Sequence, residues 1–432
     1  MLRADPHMKE VARGTLLAFI LKVAGSGLAF SFNVAVARLL GAEGAGLYFL
    51  ALSVTAIGSV IGRVGLDNAL LRFVATTATH EDWAGVKGVY ALGMRIAVVA
   101  SSAITVIVFI AAPWMATALF NKPELAEPLR WMSLAILPFA LLNLQAESLK
   151  GLKRIRDAMM VQGIGVPLIG LTLIIPLAKS AGVLGVGIAY AASTLLVATL
   201  GVWAWRRAVS IHTVSAAPFP FKEIWMSCRP LWGVSILNGA VLPWMPLFLL
   251  GVWATSAEVG IFGAALRAAM LVSFFLVAIN NVVAPKFASL YVRGEIETLG
   301  RVARQSALLL TALASPMLLL MMFAGGWVMS LYGKGFSDGY AVLAILAFGQ
   351  LINAFCGPVG NLLTMSGYEK KLRNSTLIAL LCQLTLCVVL IPQFGMEGAA
   401  VATATGVIVN NLIAVIYVRR LIGISYPVRF GG

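Results

Sequence analysis

Charge is what this chain is short of. Only 11% of its 432 residues are Asp, Glu, Lys or Arg, against 60% hydrophobic, whereas a soluble globular chain carries roughly 25% charged residues. That deficit excludes an ordinary water-soluble domain, and no polar stretch is long enough to hold one separately. Cysteine and histidine are scarce as well. Cys228, Cys356, Cys382 and Cys387 lie in or beside apolar runs, and His7, His80 and His212 are scattered in loops or tails. None has the paired spacing of a zinc or redox site, so no metal centre and no cofactor is expected. Acids are the rarer charge, 17 against 32 bases, for a net charge of +15.

What the chain has instead is length of apolar run. About twelve segments approach or exceed the ~20 residues that cross a hydrocarbon core, among them Gly14–Ala37, Leu47–Phe73, Met159–Leu177 and Val183–Trp205. They lack the alternating polarity of barrel strands, so the expected class is an all-α integral membrane protein. Ala35-Val36-Ala37 looks like a signal-peptidase site, but the preceding run is too long for a signal peptide. An uncleaved first helix is expected.

The basic excess is distributed, not pooled. With a cytoplasmic N-terminus, the alternate connections and tails on that side hold 23 Lys and Arg, including Arg3, Lys9, Arg13, Lys153, Arg154, Arg156, Arg207 and Arg429; the other side holds 5. The positive-inside rule then puts both termini in the cytoplasm and favours twelve spans over eleven or thirteen. The charge is a topology signal and implies no nucleic-acid partner.

The two halves also repeat. Ala45-Gly46-Leu47-Tyr48 matches Val259-Gly260-Ile261-Phe262; Leu134-Ala135-Ile136-Leu137 returns as Leu343-Ala344-Ile345-Leu346; Gly151 aligns with Gly367; spans starting at Gly182 and Gly395 end at Arg206-Arg207 and Arg419-Arg420. Six helices per unit is an even number, so the repeats are parallel, a transporter plan that places the substrate between halves. The expected organisation is a six-helix lobe over 1–208, a cytoplasmic linker over 209–222 and a second six-helix lobe over 223–432.

The opening carries a family resemblance. Asn33-Val34-Ala35-Val36-Ala37-Arg38-Leu39-Leu40-Gly41, Glu43-Gly44-Ala45-Gly46-Leu47-Tyr48 and Gly65-Leu66-Asp67-Asn68-Ala69-Leu70-Leu71-Arg72-Phe73-Val74 resemble the start of bacterial polysaccharide flippases of the Wzx type. These belong to the multidrug/oligosaccharidyl-lipid/polysaccharide exporter superfamily, which also holds the multidrug and toxic-compound extrusion transporters. The resemblance implies two six-helix lobes around a cavity. It further implies alternating-access transfer of an undecaprenyl-pyrophosphate-linked oligosaccharide to the outer leaflet of a bacterial inner membrane. The process served would be cell-surface polysaccharide biosynthesis, O-antigen and lipopolysaccharide included. Membrane lipids, a polysaccharide polymerase and chain-length machinery are the implied partners.

Four cations fall inside spans: Lys22, Arg63, Arg95 and Arg267. Each costs roughly 2.5–3.5 kcal/mol near a helix centre on insertion scales, which disfavours lipid-facing placement. Polar stripes accompany them. Lys22, Ser26, Ala29 and Asn33 share one face of the first span; Thr55, Ser59, Arg63 and Asp67 recur every four residues; so do Gln350, Asn353, Gly357 and Asn361, within one. A cationic cavity suits a pyrophosphate, since guanidinium forks fit phosphate oxygens and amides and hydroxyls fit sugars. Bland readings stand beside it. Arg63 and Asp67 can neutralise each other, Lys22, Arg95 and Arg267 can snorkel, and the amides can be packing contacts. Asp67 and Glu147 are the only acids placed within spans, and are candidate coupling acids if transport uses protons or sodium. Two other functions remain open: a cation-coupled drug antiporter of the same superfamily and, more remotely, a polysaccharide polymerase or ligase. The short outer connections give an enzyme no room for a catalytic loop, so no enzymatic activity is expected.

Overall fold

In the computed structural model the described residues are 6–424, with the side chains of 6–19 left aside. Arg3 and Arg429 of the charge pattern lie outside them, as do the side chains of Lys9 and Arg13. Among the described residues every regular element is a helix. A bilayer offers no water to satisfy an exposed backbone, so helices that close their own hydrogen bonds are what an apolar chain of this kind can form.

Among the described residues seven helices of 18 residues or more are apolar enough to cross a membrane, and the pair Pro123–Ser133 and Ile136–Gly151, bent by 42°, makes an eighth. This differs from a simple succession of twelve spans and loops, and the reason is local. Three of the helices run 43, 55 and 54 residues, Ile20–Gly62, Ile155–Val209 and Glu369–Ile422, each long enough for two crossings. They break at Gly41, at Ala181–Gly182 and at Gly395, where the backbone leaves helical geometry for one or two residues and the chain turns without a loop. Dividing them there, and adding the shorter apolar helix Leu237–Trp253, gives twelve crossing segments, called spans 1 to 12 below.

Spans 2, 4, 8 and 10 are themselves interrupted. Span 2 stops at Gly62 and resumes as Leu66–Thr79. Span 8 is Ser256–Met270 followed by Ser273–Val292, and span 10 is Tyr340–Cys356 followed by Val359–Met365. Spans 5 and 7 contain single π turns, Met160–Ile164 and Leu237–Val241, of the kind that recur at functional positions.

The chain forms two compact units, 1–252 and 253–432. In the first, span 7 packs along span 2. Leu50 fills the place where a side chain on Gly251 would stand, and the buried Lys122 donates from Nζ to the Gly251 carbonyl at 2.7 Å. The connection 210–220 is a strap, not a slack tether. Lys87 Nζ donates to the carbonyls of His212 (2.6 Å) and Val214 (3.0 Å), and His212 stacks on Trp83 with ring centres 3.6 Å apart.

The repeat is visible in the backbone of each unit. Left-handed residues recur at matching turns: Glu81 and Gly294, Lys153 and Gly367, Gly182 and Gly395. The last pair has nearly equal angles, φ 55°, ψ −130° and φ 49°, ψ −126°, a region open to glycine and strained for other residues. Three residues on, Gly185 abuts the Leu177 carbonyl and Gly398 the Leu390 carbonyl, so the tight 5–6 and 11–12 corners are built alike. The 4–5 turn shifts the alignment read from sequence by two residues, pairing Lys153 rather than Gly151 with Gly367.

Candidate functional site

Two ion pairs of the first unit lie on spans 2 and 4, with a neutral polar partner on span 5. Span 2 is not the continuous four-residue stripe its sequence suggests. Arg63, Val64 and Gly65 form a turn in which Val64 (φ 51°) and Gly65 (φ 73°) are left-handed, closed by Leu66 N donating to Arg63 O at 2.9 Å. The turn is imposed by span 7, because a side chain on Gly65 would meet the backbone of Trp232 and the Cys228 carbonyl at 2.8 Å. A β-branched residue at positive φ is a strained choice that survives only under such constraint. Across this break Arg63 Nη1 meets Asp67 Oδ1 at 2.5 Å, with the two side chains 15% and 20% exposed.

The pairing uses one face of the guanidinium and leaves another idle. Arg63 Nε is buried with no hydrogen-bond partner among the described residues, and so is Ser59 Oγ one turn earlier. Buried polar groups are ordinarily satisfied, so these two atoms are donors that the described residues leave unused.

A second ion pair adjoins the first. Lys150 Nζ donates to Glu147 Oε1 at 2.7 Å and to Gln162 Oε1 at 2.8 Å, and Gln162 Nε2 donates to Asn143 Oδ1 at 3.2 Å. Glu147 is near enough to Asp67 to act on it electrostatically. The π turn of span 5 carries Gln162 at its centre, and Gly25 of span 1 approaches the Gly163 carbonyl so closely that a side chain there would lie 3.0 Å from it. Gln162 and Asn143 were absent from the sequence-derived candidates. Asn143, Glu147 and Lys150 fall at i, i+4 and i+7, a face that could have been read; Gln162 could not, because the π turn rotates its register.

The remaining candidates sit apart. Lys22 is exposed and Ser26 half-buried, while Asn33 donates to the Ala29 carbonyl of its own helix at 2.6 Å. Arg95 is exposed on the stripe that continues through Val99, Val106 and Ile110, all strongly exposed apolar side chains. That placement matches the snorkelling alternative, with a guanidinium at the end of a lipid-facing stripe.

In the second unit the hydrogen-bonded polar cluster on spans 10 to 12 is made of amides and hydroxyls. Asn353 donates to Gln350 at 3.0 Å and accepts from Asn411 at 3.1 Å. Ser375 donates to Asn410 Oδ1 at 3.1 Å. Arg267 is half-buried and donates to the Gly263 carbonyl one turn back at 2.9 Å. Sequence reasoning named Gln350 and Asn353 but not their partner Asn411. Among the described residues no group of three His, Cys, Asp or Glu could hold a metal ion.

Comparison with solved structures defines the class. The fold matches an inward-facing multidrug resistance MATE family transporter of the MOP superfamily with a TM-score of 0.75 at 16% identity, covering 95% of this chain and 98% of that one. It also matches the lipid II flippase MurJ in an inward closed conformation, with a TM-score of 0.74 at 14% identity over 94% and 87%. The chain thus has the fold that these two membrane transporters share.

The sequence places it further. The family model described as polysaccharide biosynthesis protein matches residues 11–291, and the chain belongs to that family. Similar curated proteins include the probable low-salt glycan biosynthesis flippase Agl15 of Haloferax volcanii, 22% identical over 96% of this chain and 85% of the relative. Stage V sporulation protein B of Bacillus subtilis is likewise 22% identical over 96% and 85%.

Proposed function

We propose that this protein is a flippase that carries an undecaprenyl-pyrophosphate-linked oligosaccharide from the cytoplasmic to the outer leaflet of a bacterial inner membrane. Both termini are cytoplasmic in this reading, as the distribution of Lys and Arg favours. Transport proceeds by alternating access, with the six-helix repeats 1–208 and 223–432, joined by 209–222, as the units that rearrange.

The observation that carries the proposal is Arg63, a membrane-embedded guanidinium at a break in span 2 whose buried Nε lacks an acceptor. Arginine supplies donors in a fixed fork that match phosphate oxygens. Arg63 is the substrate-binding residue in this reading, and Ser59 supplies a hydroxyl beside it. Lys22 contributes a second cation. Arg95 is left out because of its apolar stripe, and Arg267 because it is committed to its own helix. Family membership and a flippase-named relative matched over 96% of the chain support the same reading. Exporting a pyrophosphate is also downhill in the membrane potential, since each charge crossing 100 mV gains about 2.3 kcal/mol.

Mass spectrometry of lipid extracts tests it. A deletion strain should accumulate one undecaprenyl-pyrophosphate oligosaccharide, and the wild-type gene should relieve the build-up while Arg63→Ala should not. No accumulation in the deletion strain would count against the substrate. A cation-coupled antiporter is the second reading, favoured by the two acids within spans of the first unit, Asp67 and Glu147. Drug resistance conferred by overexpression, and lost in Asp67→Asn, would support it instead.

A further inference from the structure

The corner where span 4 turns into span 5 reads in the sequence as topology charge, but the structure gives that charge a shape. Lys153, Arg154 and Arg156 of the turn, Asp157 beside them, and Trp203 and Arg207 near the end of span 6 line a cavity of about 390 Å3. Four cations face one carboxylate. None of the four lies within 4.0 Å of an acid among the described residues, where the ion pairs are Arg63–Asp67, Arg130–Glu127, Lys150–Glu147 and Arg301–Glu297. Arg207 rests over the Trp203 ring at 5.4 Å, and that ring is 58% exposed.

A second observation is conformational. Lys153 is left-handed, with φ 59°, at the turn where the other repeat has Gly367, with φ 79°. A lysine there is disfavoured where glycine is free, and strain of this kind points to use. The next residue differs as well. Arg154 corresponds to Tyr368, whose hydroxyl accepts from Tyr291 at 3.3 Å and donates to the Leu421 carbonyl at 3.4 Å. One repeat bolts this corner with tyrosines; the other leaves it open as a cavity.

The approach to the cavity is apolar. Leu196, Leu200 and Trp203 are exposed and fall with Arg207 on one stripe of span 6, so acyl chains lying along that stripe would bring a headgroup to the four cations. We propose that this corner binds the phosphate-bearing headgroup of an anionic lipid in the leaflet on that side. Basic pockets between membrane helices recognise such headgroups, and an interfacial tryptophan suits the boundary. The site does not depend on the flippase reading, because both a resident phospholipid and a polyprenyl pyrophosphate carry this chemistry.

Native mass spectrometry of the full-length protein, released from micelles carrying phosphatidylglycerol, phosphatidylcholine or undecaprenyl pyrophosphate, tests the proposal. The wild type should retain an anionic lipid in preference to phosphatidylcholine. Losing two cations in Arg154→Gln/Arg207→Gln should weaken retention by about 25-fold, at about fivefold per cation near the surface. Lys153→Gly should weaken it about fivefold while leaving the thermal midpoint equal or higher, since it removes the left-handed lysine. That outcome separates binding from folding even if the double variant is unstable. Lys370→Gln/Arg373→Gln, an equal charge loss on the other repeat, should leave retention unchanged. Retention of phosphatidylglycerol identifies a resident phospholipid as the occupant, and preference for undecaprenyl pyrophosphate identifies the carrier lipid. Equal retention of phosphatidylcholine, wild-type binding by both cavity variants, or equal loss in the control would overturn the site.

Discussion

The two units share a plan and differ in how they fill it. Both make the 5–6 type corner with a glycine of nearly identical angles, Gly182 and Gly395, each followed by a glycine against a carbonyl. Their polar interiors diverge. The first unit buries paired charges, Arg63 with Asp67 and Lys150 with Glu147, tied by Gln162 and Asn143. The second links amides, the half-buried Gln350 and Asn353 and the buried Asn411, and the ion pair described in it, Arg301–Glu297, is exposed at 3.6 Å. The repeat has been kept where the backbone has few alternatives and has diverged where side-chain chemistry is at stake. Charge is costly in a membrane and is retained where it serves a function, which is the physical ground for proposing that the first unit meets the charged part of a substrate.

Substitutions can break this contrast, and the charged side should break hardest. Asp67→Ala strands a largely buried guanidinium, and leaving one partner of such a pair costs about 3–5 kcal/mol. Arg63→Ala/Asp67→Ala should lose less than Asp67→Ala alone, as thermal unfolding of the purified protein would read. Next come the corners. Gly182→Ala meets open space and suffers only the backbone strain, about 1–3 kcal/mol. Gly395→Ala bears the same strain and also collides with Glu258, whose carboxylate completes the capping box at the start of span 8. It should therefore be the less stable of the two, and equal midpoints would contradict the account of these corners. The smallest effect belongs to the amide network. Asn353→Leu should cost only about 0.6 kcal/mol, the typical value of a hydrogen bond between membrane helices, and a loss as large as that of Asp67→Ala would erase the distinction between the units.

Much of this was legible in the sequence. Apolar run length gave the class, and Gly182 and Gly395 marked equivalent corners before any coordinates. The Arg63–Asp67 pairing followed from a spacing of four. The break that presents Arg63 did not. Gly62-Arg63-Val64-Gly65 holds two glycines, but isolated glycines are tolerated inside apolar helices, and Val64 is a residue that resists positive φ; what fits the turn to its surroundings is the approach of span 7 to Gly65, a contact between residues far apart in the chain. Gln162 was hidden by the π turn that rotates it toward Lys150 and Asn143. Arg95 was hidden for the opposite reason. Its helix is apolar on every side, so hydrophobic periodicity cannot say which face meets lipid.

Transfer itself is the most direct test of the central claim, that an embedded arginine in the first unit serves the passage of a pyrophosphate-linked glycan. Purified protein would be reconstituted into liposomes holding an undecaprenyl-pyrophosphate oligosaccharide, and a membrane-impermeant glycosidase would report how much glycan reaches the outer leaflet. The account predicts rapid loss of protection with the wild type, and protection retained with Arg63→Ala at equal protein incorporation. Transfer by Arg63→Ala at the wild-type rate, or none by the wild type, would contradict it.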